Sequence, residues 1–153
     1  MKNQHLLTVK NLNISFKKND AQYSALHGIN FDVHKNEILG LVGESGSGKS
    51  ITALAIMRLL YNAIIEGTIV FDGLDLNKAS KKEIERIRGK KISMVFQEPM
   101  SALNPTITCG KQVAEILKQH IDLTKAQIKD KVISLFQKVH LPHPESLYHK
   151  YPH

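Results

Sequence analysis

Apolar residues recur along this chain with two different periods. Near the start, Leu7, Val9, Leu12, Ile14 and Phe16 fall mostly on one parity, with a slip near Asn11, and predict a strand over 6–16. Lys17, Lys18, Asn19 and Asp20 form a polar turn, and 26–33 reads as a second strand, so the chain opens as an antiparallel hairpin. After His34, Lys35 and Asn36 the short apolar run of 37–42 has the pattern of a buried strand, and 51–60 that of a helix packed on a sheet. The run Gly67-Thr68-Ile69-Val70-Phe71-Asp72-Gly73, with glycine at each end, predicts a hairpin strand. Ser80 and Glu83 make a capping box for a short helix that runs to about Arg88 and stops at Gly89. Residues 92–96 then read as a second buried strand, ended by Pro99.

From there the period becomes helical. Val113, Ile116, Leu117 and Ile121 form one apolar stripe; Ile128, Val132, Leu135, Phe136 and Val139 form another. A second capping box, Thr124 with Gln127, starts the later helix, and Leu123 is placed to staple onto Ile128. These stripes read as the core of a small helical subdomain. The chain contains no internal repeat and no low-complexity tract.

Between the strand of 37–42 and the helix that follows lies Gly43-Glu44-Ser45-Gly46-Ser47-Gly48-Lys49-Ser50, a complete G-x-x-x-x-G-K-[ST] loop. Three glycines let the backbone curl so that successive N–H groups face one anion, and the helix beginning around Lys49 brings its positive end to the same point. Lys49 would reach the β and γ phosphates of a nucleotide, and the Ser50 hydroxyl would sit on Mg²⁺. The dinucleotide fingerprint is excluded, because Ile51 stands where its third glycine belongs.

Composition narrows the setting. The 153 residues are 42% hydrophobic, enough for one ordinary domain, and carry a formal charge of +7 with a pI near 9.5. Much of the excess lies in 78–91, where no aromatic residues are interleaved. That argues for the solvated face of a short helix rather than a nucleic-acid patch. Cys109 is the only cysteine, so no internal disulfide forms and a reducing compartment fits. No signal region or bilayer-spanning run is present, and the expected location is the cytosol, with any membrane association through a partner.

Two features imitate other sites. The apolar run ending in Asp72 resembles a Mg²⁺-holding NTPase motif, but Gly73 follows where a catalytic glutamate is expected, so the hairpin reading is preferred. His140, His143, His149 and His153 crowd the end at irregular spacing, with no cysteine near, and do not read as a zinc site.

The phosphate loop, taken with Met94-Val95-Phe96-Gln97-Glu98-Pro99-Met100-Ser101-Ala102-Leu103-Asn104-Pro105, resembles the ATP-binding subunits of ABC transporters. The wording of the second stretch is similar to the oligopeptide/dipeptide importer branch. The resemblance covers nearly the whole chain, to Tyr151-Pro152-His153. It implies an α/β fold: a P-loop NTPase core with an antiparallel β subdomain over 1–99, and a partial helical subdomain over 100–153. It also implies roles. Phe16 would stack on adenine, with Tyr23 the runner-up; the backbone of Ser45 to Ile51, within the span of Gly43, Glu44, Ser45, Gly46, Ser47, Gly48, Lys49, Ser50 and Ile51, would wrap the phosphates. Ser50 and Gln97 would ligate Mg²⁺. The implied cofactors are ATP and Mg²⁺. The implied partners are a second ABC ATPase subunit and integral membrane permease subunits, with a solute-binding protein involved indirectly and no nucleic acid, at the inner face of the cell membrane.

The family's Leu-Ser-Gly-Gly signature, its catalytic glutamate and its switch histidine are missing from this sequence. The resemblance therefore implies the N-terminal part of an ATPase, cut before its catalytic half, with an incomplete central sheet and two unpaired edges. The expectation is weak Mg-ATP binding and no measurable turnover by this chain alone, because no residue can be named as general base. A GTPase is disfavoured because Asn77-Lys78-Ala79-Ser80 fails its guanine motif at the last position, and a kinase because no arginine-rich lid is visible. A soluble ABC protein and a non-catalytic remnant remain as alternatives.

Overall fold

The computed structural model describes residues 5–19, 21–98 and 102–153. The chain divides into two compact units, the first ending at Arg88 and the second beginning at Gly89.

The first unit is built on a long antiparallel pair, β1 (His5–Lys18) and β2 (Ala21–His34). β3 (Ala63–Phe71) lies antiparallel on the other edge of β1, and the short β4 (Leu74–Asp75) pairs with β3, giving the order β2-β1-β3-β4. The alternation seen in the sequence buries Val9, Leu12, Ile14, Leu26, Ile69 and Phe71. The slip near Asn11 is a bulge: Asn11 takes φ 48°, and the register of β1 against β3 shifts between Lys10 and Asn13.

Gly67 lies inside β3 rather than at its start, as the sequence reading had it. It faces this bulge with φ +93°, and a β-carbon there would come within 2.6 Å of the Lys10 carbonyl oxygen. Asp72 and Gly73, both at positive φ (49° and 81°), form the two-residue turn that joins β3 to β4. Asp72 is thus a turn residue, and the hairpin reading of 67–73 holds.

Helix α1 (Lys49–Ile56) is shorter than the 51–60 expected, because the chain turns out of it at Arg58 with φ 52°. Helix α2 (Lys81–Ile87) opens on the complete Ser80–Glu83 capping box and buries Ile84. Pro99, expected to end a strand, lies outside the described residues.

The two buried strands expected at 37–42 and 92–96 do not form. Ile38 and Val42 are each 99% exposed and Val95 is 90% exposed, and neither stretch is assigned to a strand. An unalternating apolar strand is stable only between two neighbours and under layers on both faces. Among the described residues no parallel strand supplies that pairing, so the central sheet is incomplete and neither run joins a sheet.

The second unit is helical. Helix α3 (Cys109–His120), helix α4 (Lys125–Lys138) and helix α5 (Pro144–His149) surround a core of Ala114, Ile128, Val132 and Phe136. Thr124 and Gln127 complete the second capping box, and Leu123 packs on the same core as Ile128. The stripes are only partly covered: Val113 and Leu117 pack inward, while Ile116, Ile121 and Val139 remain exposed, because three helices have too little surface to bury all of them. α3 and α5 meet at Gly110, whose missing side chain leaves room for the Tyr148 ring, and the Cys109 amide donates to the Lys150 carbonyl oxygen at 2.8 Å.

Candidate nucleotide-binding site

β2 leads into the site through a tight turn. Asn36 takes φ 62°, and Glu37 Oε2 accepts from the His34 amide at 2.5 Å and meets His34 Nδ1 at 2.9 Å. The His34 amide and ring hold the Glu37 carboxyl below the usual range, since both favour its charged form. From there the exposed stretch 38–42 runs to the loop.

The loop closes on itself. A β-carbon at Gly43 would lie 2.6 Å from Ser47 Oγ, and the Ser47 amide donates to the Glu44 carbonyl oxygen at 3.2 Å. Gly46 and Gly48 take φ +82° and +92°, values that glycine adopts at little cost. Gly48 is the N-cap of α1, with no side-chain cap and no acidic residue in the first turn, so the helix start has no internal anion to satisfy it. The Lys49 ammonium folds back over the loop, donating to the carbonyl oxygens of Gly43 at 2.8 Å and Glu44 at 2.6 Å, with Ser47 Oγ at 3.3 Å.

Glu44, Ser45 and Ser50 are exposed, and Lys49 and Ile51 are partly so. The curl, the uncapped helix start and a cation held at the rim fit a bound polyphosphate: amides would hold the oxygens, Lys49 would neutralise charge, and Ser50 offers its hydroxyl to a divalent cation.

Two supporting residues were not singled out from the sequence. Thr52, 4% exposed, donates its hydroxyl to the Gly48 carbonyl oxygen at 3.0 Å and pins the loop's last glycine to the helix. Leu26 of β2 lies directly under Gly48. The position of Thr52 two residues beyond the motif could have drawn notice; nothing local marks Leu26.

The other expected residues stand apart from the loop in sequence. Phe16 is half-buried near the β1–β2 turn, in register with Tyr23 on one side and Ala63 on the other. The two alternatives for adenine stacking are therefore cross-strand neighbours, and Tyr23 is the more exposed, at 58%. Gln97 is exposed and belongs to the second unit. Among the described residues no group of His, Cys, Asp or Glu could hold a metal ion, and no helix is long and apolar enough to cross a membrane.

The ABC transporter family model matches residues 26–152. This chain belongs to the ABC transporter family. Among curated relatives of this ABC chain, the oligopeptide transport ATP-binding protein OppD of Bacillus subtilis is 44% identical over 97% of it and 42% of the relative. The dipeptide transport ATP-binding protein DppD of the same organism is 42% identical over 98% of it and 46% of the relative. The OppD of Escherichia coli is 38% identical, with coverage of 97% and 44%. The chain thus spans under half the length of these relatives. A solved dimeric ATP-binding cassette, MJ0796 in a post-hydrolysis state bound to ADP and Pi, superposes with a TM-score of 0.80 over 95% of this chain and 61% of its own, at 23% identity. That likeness establishes the fold: an ABC ATPase cassette in part, with its antiparallel sheet, P-loop and helical portion.

Proposed function

We propose that this chain binds Mg-ATP through the loop of residues 43–51, as part of the energy-coupling ATPase of an importer for peptides or similar small solutes. The observation that carries the reading is the closed loop, with the Lys49 ammonium held on the carbonyls of Gly43 and Glu44 at the start of an uncapped helix. The names of the peptide-transport relatives support the importer assignment.

In this reading the amides of the loop would bind and orient the phosphates, Lys49 would neutralise the β and γ charge, and Ser50 would offer its hydroxyl to Mg²⁺; Gln97 is the further Mg²⁺ ligand that the family resemblance implies. Mg-ATP supplies the phosphoanhydride whose cleavage drives transport in a complete cassette. Phe16, with Tyr23 beside it, stacks on the adenine through its apolar face. The helical second unit faces the permease, and a second ATPase subunit completes the assembly at the inner membrane face. No residue here is assigned as general base, and the reading for this chain is confined to binding of Mg-ATP.

Isothermal titration with Mg-ATP tests the reading. The wild-type chain is expected to bind, and Lys49→Ala to bind roughly 10–100-fold more weakly, the worth of one charge-assisted hydrogen-bonding group. Equal affinity in the two proteins would overturn it.

A further inference from the structure

The far end of α1 is held by two arginines that the nucleotide reading does not use. The chain leaves α1 by turning at Arg58, whose amide donates to the Ala55 carbonyl oxygen at 2.9 Å, while the Leu59 amide donates to Leu54 O at 2.9 Å. This closure leaves the carbonyls of Met57 and Arg58 pointing away from the helix end. Arg88, the C-cap of α2, takes both: its Nε donates to Met57 O at 2.8 Å and its Nη2 to Arg58 O. Arg58 in turn donates through Nη1 to the carbonyl of Leu76, which is fully buried and whose own amide bonds to Ile69 O of β3 at 2.8 Å.

Two guanidinium groups thus connect the end of α1 to α2 on one side and to the sheet on the other. Their charges suit the negative end of a helix, and bonds from a guanidinium to a carbonyl are stronger and better directed than neutral ones. Arg58 also holds a left-handed conformation that glycine would adopt with less strain, so its side chain is retained there against a backbone cost.

We infer that Arg88, acting with Arg58, is a positioning residue for the phosphate loop. α1 has only eight residues, or about 12 Å of axis, and its first two are Lys49 and Ser50. A short helix moves as one body, so fixing its C-terminal end against the sheet fixes the depth and tilt of its N-terminal amides. Arg88 bonds at the end of α1 opposite the loop; it sets where the loop amides stand. The consequence for ATP rests on the nucleotide-binding reading above; the mechanical link does not.

The test therefore has two readouts on the full chain. The first is the ¹H–¹⁵N shifts of Gly46, Gly48 and Lys49 without nucleotide. They are expected to move in Arg88→Ala, to return partway in Arg88→Lys, which keeps the charge but cannot fork to two carbonyls, and to stay put in Lys81→Ala, whose side chain is 92% exposed nearby. The second is Mg-ATP affinity, expected to fall about three- to tenfold in Arg88→Ala. An arginine that merely stabilises the fold would lower the melting temperature and leave the loop shifts in place, and that result overturns the inference. If Arg88→Ala does not fold, the same comparison is read in Arg88→Lys and Arg58→Lys. If the wild type binds no Mg-ATP, the nucleotide reading fails while the loop shifts still decide the mechanical one.

Discussion

Gly48 rests on Leu26: a β-carbon added to the glycine would collide with the Leu26 Cδ2 methyl. The loop's last glycine is therefore required by the sheet beneath it as well as by its φ of +92°. Leu26 is 3% exposed, so the methyl can give way only by repacking inside the core. Gly48→Ala is expected to cost about 2–4 kcal/mol, from left-handed strain plus overpacking, and to weaken nucleotide binding. Gly46, at φ +82° with open space around it, is the control: Gly46→Ala is expected to cost only about 1–2 kcal/mol. Urea unfolding of the two variants measures the difference.

Thr52 tests how the loop is tied to its helix. Thr52→Val keeps the shape but removes the hydroxyl that donates to Gly48 O. The expected loss is about 1 kcal/mol of stability, because one buried hydrogen bond disappears. Melting of Thr52→Val against wild type checks it.

The capping box of α2 carries a pH signature. Glu83 accepts from the Ser80 hydroxyl at 2.7 Å and from the Ser80 amide at 2.8 Å, and these bonds hold its carboxyl below the ordinary 4.5, the hydroxyl being the larger cause. A depressed folded value means that the contribution is fully present above 4.5 and is lost as pH falls through the lower folded value. An NMR titration is expected to show Glu83 titrating below 4.5 in the wild type and moving up toward that value in Ser80→Ala. An unchanged titration would count against the cap.

The core of the second unit is small enough for one residue to matter. Val132 is fully buried among Ala114, Ile128 and Phe136. Val132→Ala is expected to cost about 1–3 kcal/mol, with Ile116→Ala, half exposed on α3, nearly neutral. Thermal melting of the two variants separates a packed position from an exposed member of the same stripe.

What the sequence disclosed depended on how local the cause was. Both capping boxes, the Asp72-Gly73 turn and the loop are set by residues within a few positions of one another, and each could be read directly. The slip at Asn11 was visible, but its counterpart Gly67 was misplaced at a strand end, since the bulge needs two strands to define it. The runs at 37–42 and 92–96 carry the pattern of buried strands, yet pattern supplies only the side chains; a strand also needs paired neighbours, and none of the described strands pairs with these runs. Leu26 under Gly48 and Arg88 behind α1 act across 22 and 31 positions, and no spacing rule reaches that far. Ile116, Ile121 and Val139 sit on helical stripes as expected, but a stripe does not say how much partner surface exists to cover it.

In the proposed function a triphosphate nests in the amides ahead of Lys49. A ¹H–¹⁵N titration of the full chain with Mg-ATP tests it most directly. Large shifts are expected at 43–51, with smaller ones around Phe16, Tyr23 and Gln97; the loop shifts saturate together, are absent with adenosine and are strongly reduced in Lys49→Ala. Loop amides that stay unmoved at saturating Mg-ATP, or that shift equally in Lys49→Ala, would contradict it.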